Sequence, residues 1–306
     1  MRIAVMGTGG VGGYFGAKLA QAGHDVTFIA RGAHLAAIRA RGLVVESSAT
    51  PMHVAPARAT ADTAEIAPVE VVLFCVKLWD VEAAAKQAAP LVREGGVVIP
   101  FQNGLVAPEV LAQVVGPERV LGGVAYIAAA IREPGVIAHT GAMARLRVGA
   151  FPGGPAERAA GFVDAARKAG IEIELAADIR RALWEKFCFL VGISGGTAVA
   201  RQPVGVVRSD PDLRATVEAA FEETWRVGRA EGVGLADDFV ATQVKALDGL
   251  APEMRTSLQN DLAAGRRLEA PWLAGEVVAR AARAGIAVPV CRTLYAALKP
   301  YVAGAA

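Results

Sequence analysis

The sequence lacks the features that would mark a membrane, secreted or nucleic-acid-binding protein. The uncharged run from Phe187 to Ala200 contains glycines and is shorter than the roughly 20 apolar residues of a bilayer span. The apolar stretch after Arg2 runs directly into glycines, unlike a signal peptide. Lysine and arginine total 32 against 30 for aspartate and glutamate, so the net charge is only +2, and the chain has no basic stripe of the kind that binds nucleic acid. We therefore expect a cytoplasmic protein with neither a membrane nor a nucleic-acid partner.

Cysteine is also scarce, with three residues in the whole chain. Cys75, Cys188 and Cys291 are widely spaced and odd in number, which does not fit a disulfide framework. We expect all three to be reduced thiols that pack in the interior. The histidines are scattered without the spacing of metal ligands, so the sequence predicts no metal site.

Apolar residues are abundant, since 54% of the 306 residues are hydrophobic, and this length suggests two domains. In the first part, short apolar runs alternate with helical patterns, which is typical of a parallel sheet with helices on both faces. After about Ala176 the strand signals end and helical periodicities follow. The predicted fold is therefore α/β, with an N-terminal Rossmann-type doubly wound sheet over residues 1–175 and an all-helical C-terminal domain over residues 176–306.

The individual elements can be predicted from the same periodicities. The predicted strands cover residues 2–6, 25–30, 69–76, 96–100, 120–131, 145–148 and 171–175. The predicted helices cover residues 11–22, 33–41, 81–91, 156–169, 179–191, 212–231, 237–247, 268–284 and 291–298. The apolar helices of the second domain could form a homodimer interface or the core of that domain.

A GxGxxG pattern follows the first predicted strand and opens the first predicted helix. Its residues are Gly7, Thr8, Gly9, Gly10, Val11 and Gly12. The first glycine allows a tight turn, the second lets a pyrophosphate approach the backbone, and the third allows close packing of helix and strand. The free amides at the helix N-terminus would bind the phosphates. The sequence therefore predicts a dinucleotide-binding site.

The end of the second predicted strand bears on the type of dinucleotide. A site for NAD has an acidic side chain there for the ribose hydroxyls, whereas this chain has Arg31. A guanidinium in this place would pair with the 2′-phosphate of NADP(H). The alternative is an ordinary solvated arginine. We predict NADPH as the cofactor, with Arg31 as the residue that selects it.

Two further polar residues follow predicted strands, where a doubly wound sheet has its functional loops. Lys77 comes directly after the strand that ends at Val76, and Asn103 follows the next strand along the chain. Both are therefore candidates for a functional site. Because Asn103 precedes a glycine, an ordinary turn residue is the alternative there.

A series of motifs runs in order along both predicted domains. They are the GTGGVG loop, Arg31, Val76-Lys77-Leu78-Trp79, Gln102-Asn103-Gly104, Leu183-Trp184-Glu185-Lys186, and Ser257 with Glu269. This combination resembles the ketopantoate reductases (2-dehydropantoate 2-reductases). The resemblance implies NADPH-dependent reduction of a 2-oxo acid to a 2-hydroxy acid, in a cleft between a Rossmann domain and a helical domain.

The resemblance also implies roles for single residues. Lys186 matches the family's catalytic lysine, which we expect to be the general acid. Glu269 matches the glutamate that orients the substrate, and we predict it as the second catalytic residue. Ser257 matches a serine that contacts the substrate. Asn103 matches the asparagine beside the nicotinamide and substrate, and Lys77 matches a lysine at the cofactor and substrate edge.

The chemistry of the reaction agrees with this role for Lys186. Hydride delivery to a ketone carbon builds negative charge on the oxygen, which an ammonium group can stabilise and protonate. Lys186 lies in an otherwise apolar helix, where desolvation would lower its pKa. The alternative is a lysine that pairs with a carboxylate on a solvated helix face. Periodicity alone favours this alternative, and the resemblance favours catalysis. Glu269 follows two arginines and could likewise be surface charge.

The chain departs from the family's pattern close to the proposed catalytic lysine. Leu190 and Ser194, predicted to contact the substrate, share a helix face with Lys186 and stand where the best-known members have asparagines. Met254 and Leu268 also replace polar residues. A pocket built for a substrate hydroxyl discriminates strongly against ligands that lack it. Ketopantoate is the leading substrate, and a bulkier or more apolar 2-oxo acid is the alternative.

Two further functions share the same two-domain plan. One is a β-hydroxy acid or opine-type dehydrogenase, and the other is a non-catalytic NADPH-binding paralogue. The place of Lys186 at the start of the helical domain argues against the first. The presence of both Lys186 and Glu269 argues against the second.

Overall fold

Strands and helices alternate in the first part of the computed structural model, which describes residues 1–305. The strands are β1 (Arg2–Met6), β2 (Asp25–Ile29), β3 (Leu43–Ser47), β4 (Met52–Val54), β5 (Arg58–Thr60), β6 (Val71–Phe74), β7 (Val97–Pro100), β8 (Leu121–Glu133), β9 (Val136–Ala150) and β10 (Glu172–Leu175). No strand follows Leu175 up to residue 305, which confirms the predicted change to an all-helical part.

The helices are distributed over the whole chain. They are α1 (Gly10–Gln21), α2 (Gly32–Arg41), α3 (Val81–Ala88), α4 (Val106–Val115), α5 (Ala156–Lys168), α6 (Ile179–Ala200), α7 (Val204–Ser209), α8 (Pro211–Ala230), α9 (Phe239–Asp248), α10 (Ser257–Ala263), α11 (Ala274–Ala284) and α12 (Pro289–Leu298). None of those within residues 1–305 is both long and apolar enough to span a membrane.

A five-stranded parallel sheet carries the loops that contain several of the predicted site residues, and its strand order is β5-β2-β1-β6-β7. All residues of β6 and β7 are buried, as expected for apolar strands covered on both faces. Met6 at the end of β1 pairs with Ile29 of β2 on one side and with Phe74 of β6 on the other. The loops after these three strands therefore start next to one another at the same edge of the sheet.

A second sheet contains the long hairpin of β8 and β9, and its order is β10-β9-β3-β4 with β8 paired to β9. The sequence predicted a much shorter strand at 145–148 and did not predict β3, β4 or β5. Residues Thr140 to Met143 are exposed in the middle of β9. These residues lie where the pairing of β8 and β9 is irregular, because the register shifts between the pair Ile127–Ala144 and the pair Ala129–His139. They show no alternation of buried and exposed side chains, so local periodicity could not indicate a strand there.

The chain divides into two units. The first contains Met1–Gln102 and Val106–Ala182, and the second contains Asn103–Leu105 and the residues from Leu183 onward. The short segment Asn103–Leu105 thus groups with the helical part, although the chain before and after this segment belongs to the first unit. The predicted fold class is confirmed. The domain limits of 1–175 and 176–306 stay a prediction.

Helix α6 continues to Ala200, well beyond its predicted end at residue 191. A Cβ atom on Gly192 would lie 2.5 Å from the ring of Phe221, and one on Gly196 would lie 2.5 Å from a methyl group of Val217. Both partners belong to α8. Glycine weakens a helix by conformational entropy, but here it allows α6 to approach α8 closely, and the packing offsets that cost.

The predicted start of the helix over 268–284 is wrong, because α11 begins at Ala274. A short 3-10 turn, Ala270–Trp272, precedes it and contains Pro271. Leu273 then adopts φ −106° and ψ −102°, outside the helical region. The apolar periodicity continues through this segment, but proline has no amide hydrogen for a helix interior and the backbone turns before α11 starts.

Candidate functional site

The glycine-rich loop joins β1 to α1 in a geometry that fits phosphate binding. Gly7 has φ +96°, and a Cβ there would lie 2.8 Å from the backbone nitrogen of Val76. A Cβ on Gly12 would lie 2.8 Å from a methyl group of Val5, so only glycine lets α1 approach β1 this closely. A Cβ on Gly9 would meet nothing within 4 Å, which leaves open space in front of that backbone. The three glycines have the backbone conformation and the space that the pattern requires, and their role in binding a dinucleotide stays a prediction.

The remaining loop residues complete a helix N-terminus that no side chain caps. Gly10 packs against the carbonyl group of Ala129, and Val11 is partly buried against the core. The hydroxyl of buried Thr8 donates a hydrogen bond of 3.0 Å to the carbonyl oxygen of Ile29. No side chain caps α1, and its first turn has no acidic residue. The helix dipole and the free amides can therefore act on a bound anion without a competing carboxylate.

His34 also supports this loop, although no motif or spacing in the sequence indicated it. Its Nε2 lies 2.8 Å from the carbonyl oxygen of Thr8, and its Nδ1 accepts a hydrogen bond of 3.0 Å from the amide of Gly135. An acceptor at Nδ1 requires the proton on Nε2, so the ring is neutral here. Burial lowers the pKa of His34, and the hydrogen bond to Thr8 opposes this shift.

Arg31 lies after the second strand, where the residue that distinguishes NADP(H) from NAD is expected. It is exposed, follows the end of β2 and occupies the cap position before α2. Its guanidinium forms neither an ion pair nor a side-chain hydrogen bond with any residue from 1 to 305. A charged group that is already committed to a carboxylate would bind a phosphate poorly, so this arrangement suits a 2′-phosphate.

Lys77 is exposed just after β6, with Nζ 5.6 Å from the centre of the Trp79 ring. The backbone before it is fixed by Gln102, whose Nε2 donates hydrogen bonds to the carbonyl oxygens of Phe74 (3.0 Å) and Val76 (2.9 Å). From the sequence, Gln102 was only a member of the Gln102-Asn103-Gly104 motif, and no role was predicted for it. Its amide side chain fixes the strand end from which Lys77 projects.

In the second unit, the structure brings Lys186 and Asn103 together. Lys186 Nζ donates a hydrogen bond of 2.8 Å to Asn103 Oδ1. Asn103 is therefore more than a turn residue. Burial lowers the pKa of Lys186 to about 8, and the negative charge of Glu269 acts in the opposite direction. The predicted lowering of this pKa by an apolar helix is confirmed.

Glu269 reaches this group from the segment before α11. It is partly buried and caps the 3-10 turn that precedes this helix. Of the two arginines before it, Arg266 pairs with Asp261 at 2.7 Å. Lys186 is thus flanked by a neutral oxygen from Asn103 and by the charge of Glu269. A protonated amine in this setting can donate to a developing alkoxide.

The predicted substrate residues lie on two helices of the second unit. Leu190 and Ser194 follow Lys186 along α6 on its face, Leu190 partly buried and Ser194 only 2% exposed. Ser257 is exposed at the first position of α10, and Met254 before it is also exposed. The glycine loop, Arg31 and Lys77 lie in the first unit.

Family comparison covers most of the chain. A family model described as "Ketopantoate reductase PanE/ApbA" matches residues 3–153, and its C-terminal counterpart matches residues 178–302. A 2-dehydropantoate 2-reductase from Halobacterium salinarum is 36% identical over 296 residues, which cover 96% of each chain.

Solved structures agree with this relationship. A crystal structure of 2-dehydropantoate 2-reductase from Geobacter metallireducens has a TM-score of 0.91 and 31% identity, and covers 98% of this chain and 99% of that one. A PanE/ApbA family ketopantoate reductase from Ralstonia eutropha has a TM-score of 0.89 and 32% identity, with 99% and 98% covered. A D-mandelate dehydrogenase shares the fold with a TM-score of 0.90 at 19% identity, covering 99% and 98%.

Proposed function

The chain belongs to the ketopantoate reductase family, and from this we propose that it reduces 2-dehydropantoate (ketopantoate) to pantoate with NADPH. It is an oxidoreductase that acts on a CH-OH group. The observation that carries the proposal is the hydrogen bond between Lys186 and Asn103 beside the charge of Glu269. This group can deliver a proton to a carbonyl oxygen as a hydride reaches the carbonyl carbon.

The residues of the first unit fit a phosphorylated dinucleotide. The open backbone at Gly9 and the uncapped start of α1 would hold the pyrophosphate. The uncommitted guanidinium of Arg31 would hold the 2′-phosphate and so favour NADPH over NADH. NADPH, when bound, supplies the hydride.

Lys186 is proposed as the general acid. Its ammonium group stabilises the negative charge that develops on the substrate oxygen and then transfers a proton to it. The product is a hydroxyl group, and the neutral amine regains its proton from solvent. A pKa of about 8 suits this task, since the group is mostly charged at neutral pH and is a stronger acid than an exposed lysine.

Asn103 and Glu269 keep Lys186 in this state by different means. The amide oxygen of Asn103 accepts one hydrogen of the ammonium group and so fixes its orientation. The negative charge of Glu269 favours the protonated form against the burial that disfavours it. The resemblance further assigns Glu269 to orienting the substrate, and we retain that role in the proposal.

The relatives support ketopantoate as substrate over a more apolar 2-oxo acid. Ser194 keeps one hydroxyl on the face of α6 that carries Lys186, and Ser257 offers another at the start of α10. Leu190 removes a polar group compared with the best-known members. The proposal therefore predicts that the serine hydroxyls carry part of the polar recognition that asparagines carry elsewhere.

Removal of the amine tests the proposed reaction. Lys186→Ala should lower kcat by about 100-fold to 10,000-fold while NADPH still binds, because the lysine donates the proton and does not hold the dinucleotide phosphates. Lys245→Ala removes an exposed lysine of α9 and serves as the matched control. NADPH oxidation with ketopantoate measures the first quantity, and quenching of cofactor fluorescence measures the second. Unchanged turnover in Lys186→Ala would exclude the proposed role.

A substrate panel tests the assignment of ketopantoate separately. Ketopantoate, pyruvate and phenylglyoxylate should all be compared at saturating NADPH. The proposal predicts the highest kcat/KM for ketopantoate, whose hydroxyl can pair with polar groups of the site. A higher kcat/KM for phenylglyoxylate would overturn the substrate assignment and leave the reductase chemistry standing.

A further inference from the structure

The helical unit contains a cavity of about 230 Å³, and none of the residues proposed for the reaction lines it. Its lining residues are Arg201, Arg255, Gln259, Leu262 and Ala263. Arg201 directly follows the C-terminal end of α6, whereas Lys186 lies near the start of that helix. At 1.5 Å per residue, the two are about 20 Å apart along the helix axis. The end of the cavity that Arg201 lines is therefore distant from Lys186.

The cavity has a buried amide group without a partner. Gln259 is only 2% exposed, and neither its side-chain nitrogen nor its side-chain oxygen has a hydrogen-bond partner in the part of the chain that the structure describes. Its backbone is paired, because the amide nitrogen donates to the hydroxyl of Thr256. Folded proteins rarely leave buried polar side chains unpaired. An unpaired amide that lines a cavity is therefore expected to bind something that enters it.

Two uncompensated positive charges flank the same space. Arg201 adopts a left-handed backbone conformation with φ 55°, and its guanidinium lies 5.8 Å from the centre of the Tyr301 ring. Arg255 is exposed just before α10. Neither guanidinium forms an ion pair with any side chain between residues 1 and 305. Asp261 on α10 is already paired with Arg266.

We propose that this cavity binds a small oxyanion, a phosphate or carboxylate group. Arg201 and Arg255 supply the positive charge, and the side-chain nitrogen of Gln259 donates a hydrogen bond. Guanidinium groups match both oxyanions because their parallel N–H groups can bind two oxygens at once. The volume lies below the range of pockets for drug-sized ligands, so it suits an ion or the charged end of a larger molecule.

Anion-dependent thermal unfolding of the full chain tests the site. The melting temperature is measured with increasing inorganic phosphate, and separately with acetate, at constant ionic strength set with chloride. Arg255→Gln and Gln259→Leu remove the proposed ligands singly. Arg283→Gln is the matched control, because it removes an exposed arginine of α11 that does not line the cavity.

We expect phosphate or acetate to raise the melting temperature of the wild-type protein, and the stronger of the two identifies the preferred oxyanion. The apparent affinity should fall about tenfold or more in Arg255→Gln and Gln259→Leu, and stay unchanged in Arg283→Gln. Equal stabilisation of all four proteins, or stabilisation of none, would overturn the proposal. The former outcome would place the anion elsewhere, for example at the glycine loop.

A second variant guards against a folding defect. If Gln259→Leu does not fold, Gln259→Glu tests the same position with a side chain of similar size. The added carboxylate would pair with the arginines and exclude the anion, so the phosphate effect should vanish while the protein without phosphate gains stability. A phosphate effect of wild-type size in Gln259→Glu would contradict a site at this position.

Discussion

Replacing Lys186 with methionine should abolish reduction and make the protein more stable near neutral pH. Methionine keeps a similar length but carries no charge. In the folded protein, burial lowers the pKa of Lys186 from 10.5 to about 8, so the folded state binds this proton less tightly than the unfolded state does. At neutral pH the folded protein therefore contains a charged amine in surroundings that disfavour the charge, which lowers the free energy of unfolding. The methionine variant has no charge at this position and does not lose that free energy.

The size of the effect follows from the pKa. One pKa unit corresponds to about 1.4 kcal/mol, so a fall from 10.5 to about 8 costs the folded state about 3 kcal/mol at pH 7. The cost shrinks as the pH rises through this window, to about 1 kcal/mol at pH 10, because the unfolded lysine then also loses its proton. The variant loses the hydrogen bond to Asn103, which subtracts about 1 kcal/mol. A net gain of about 2 kcal/mol at pH 7 is expected.

Urea unfolding of the wild-type protein and of Lys186→Met at pH 7, 8, 9 and 10 measures this difference. Effects of other titrating groups cancel in the comparison, because both proteins share them. Lys245→Met, which changes an exposed lysine, should show no such pH trend. A stability difference between wild type and Lys186→Met that stays constant from pH 7 to pH 10 would refute a lowered pKa for Lys186.

Three other variants examine the rest of the site. Arg31→Asp should raise the KM for NADPH by about tenfold to 100-fold and shift preference toward NADH, measured with both cofactors; unchanged preference would make Arg31 an ordinary surface residue. Asn103→Asp should raise the pKa of Lys186 and move the alkaline fall of kcat to higher pH; an unmoved profile contradicts their coupling. When the pH falls below the lowered pKa of His34, its Nδ1 becomes protonated and can no longer accept the hydrogen bond from the Gly135 amide. The KM for NADPH should therefore rise in acid, and this rise should be absent in His34→Gln.

The strands and helices that could be predicted are those whose burial repeats along the chain. β1, β2, β6 and β7 are apolar runs buried on both faces, and their order could be read from the alternation with helices. β4 and β5 have three residues each, too few for a repeating pattern of burial, and they are strands through their pairing with β3 and β2. Such pairing depends on residues distant in sequence, which local periodicity does not report.

The same limit applies within the helices. The apolar periodicity continues through 268–284, and Pro271 is the local sign that one helix does not span this segment. The extension of α6 to Ala200 had no local sign, because its glycines weaken the helix and are tolerated only through the approach of α8. Elements that depend on a neighbouring surface are thus the ones that the sequence predicted poorly.

For the candidate site, side chains that act through local geometry could be predicted, and those that act through a distant partner could not. The glycine loop needs only the preceding strand and the following helix, and both could be predicted. His34 supports that loop through Thr8 and Gly135, a pairing that no spacing rule contains.

In the pair of Lys186 and Asn103, the position of one residue follows from local geometry and that of the other depends on a distant partner. Asn103 follows a strand of the parallel sheet, but residues 103–105 group with the helical unit while the chain on both sides groups with the first. A functional residue after a strand end is expected from the sheet topology. Helical periodicity alone does not indicate its partner on α6, because a single lysine on an apolar helix fits a surface ion pair equally well, and only the motif resemblance assigned both residues to one site. In a chain of this kind, the partner of a buried lysine is therefore better sought among the polar residues that follow the sheet strands than on the helix that carries the lysine.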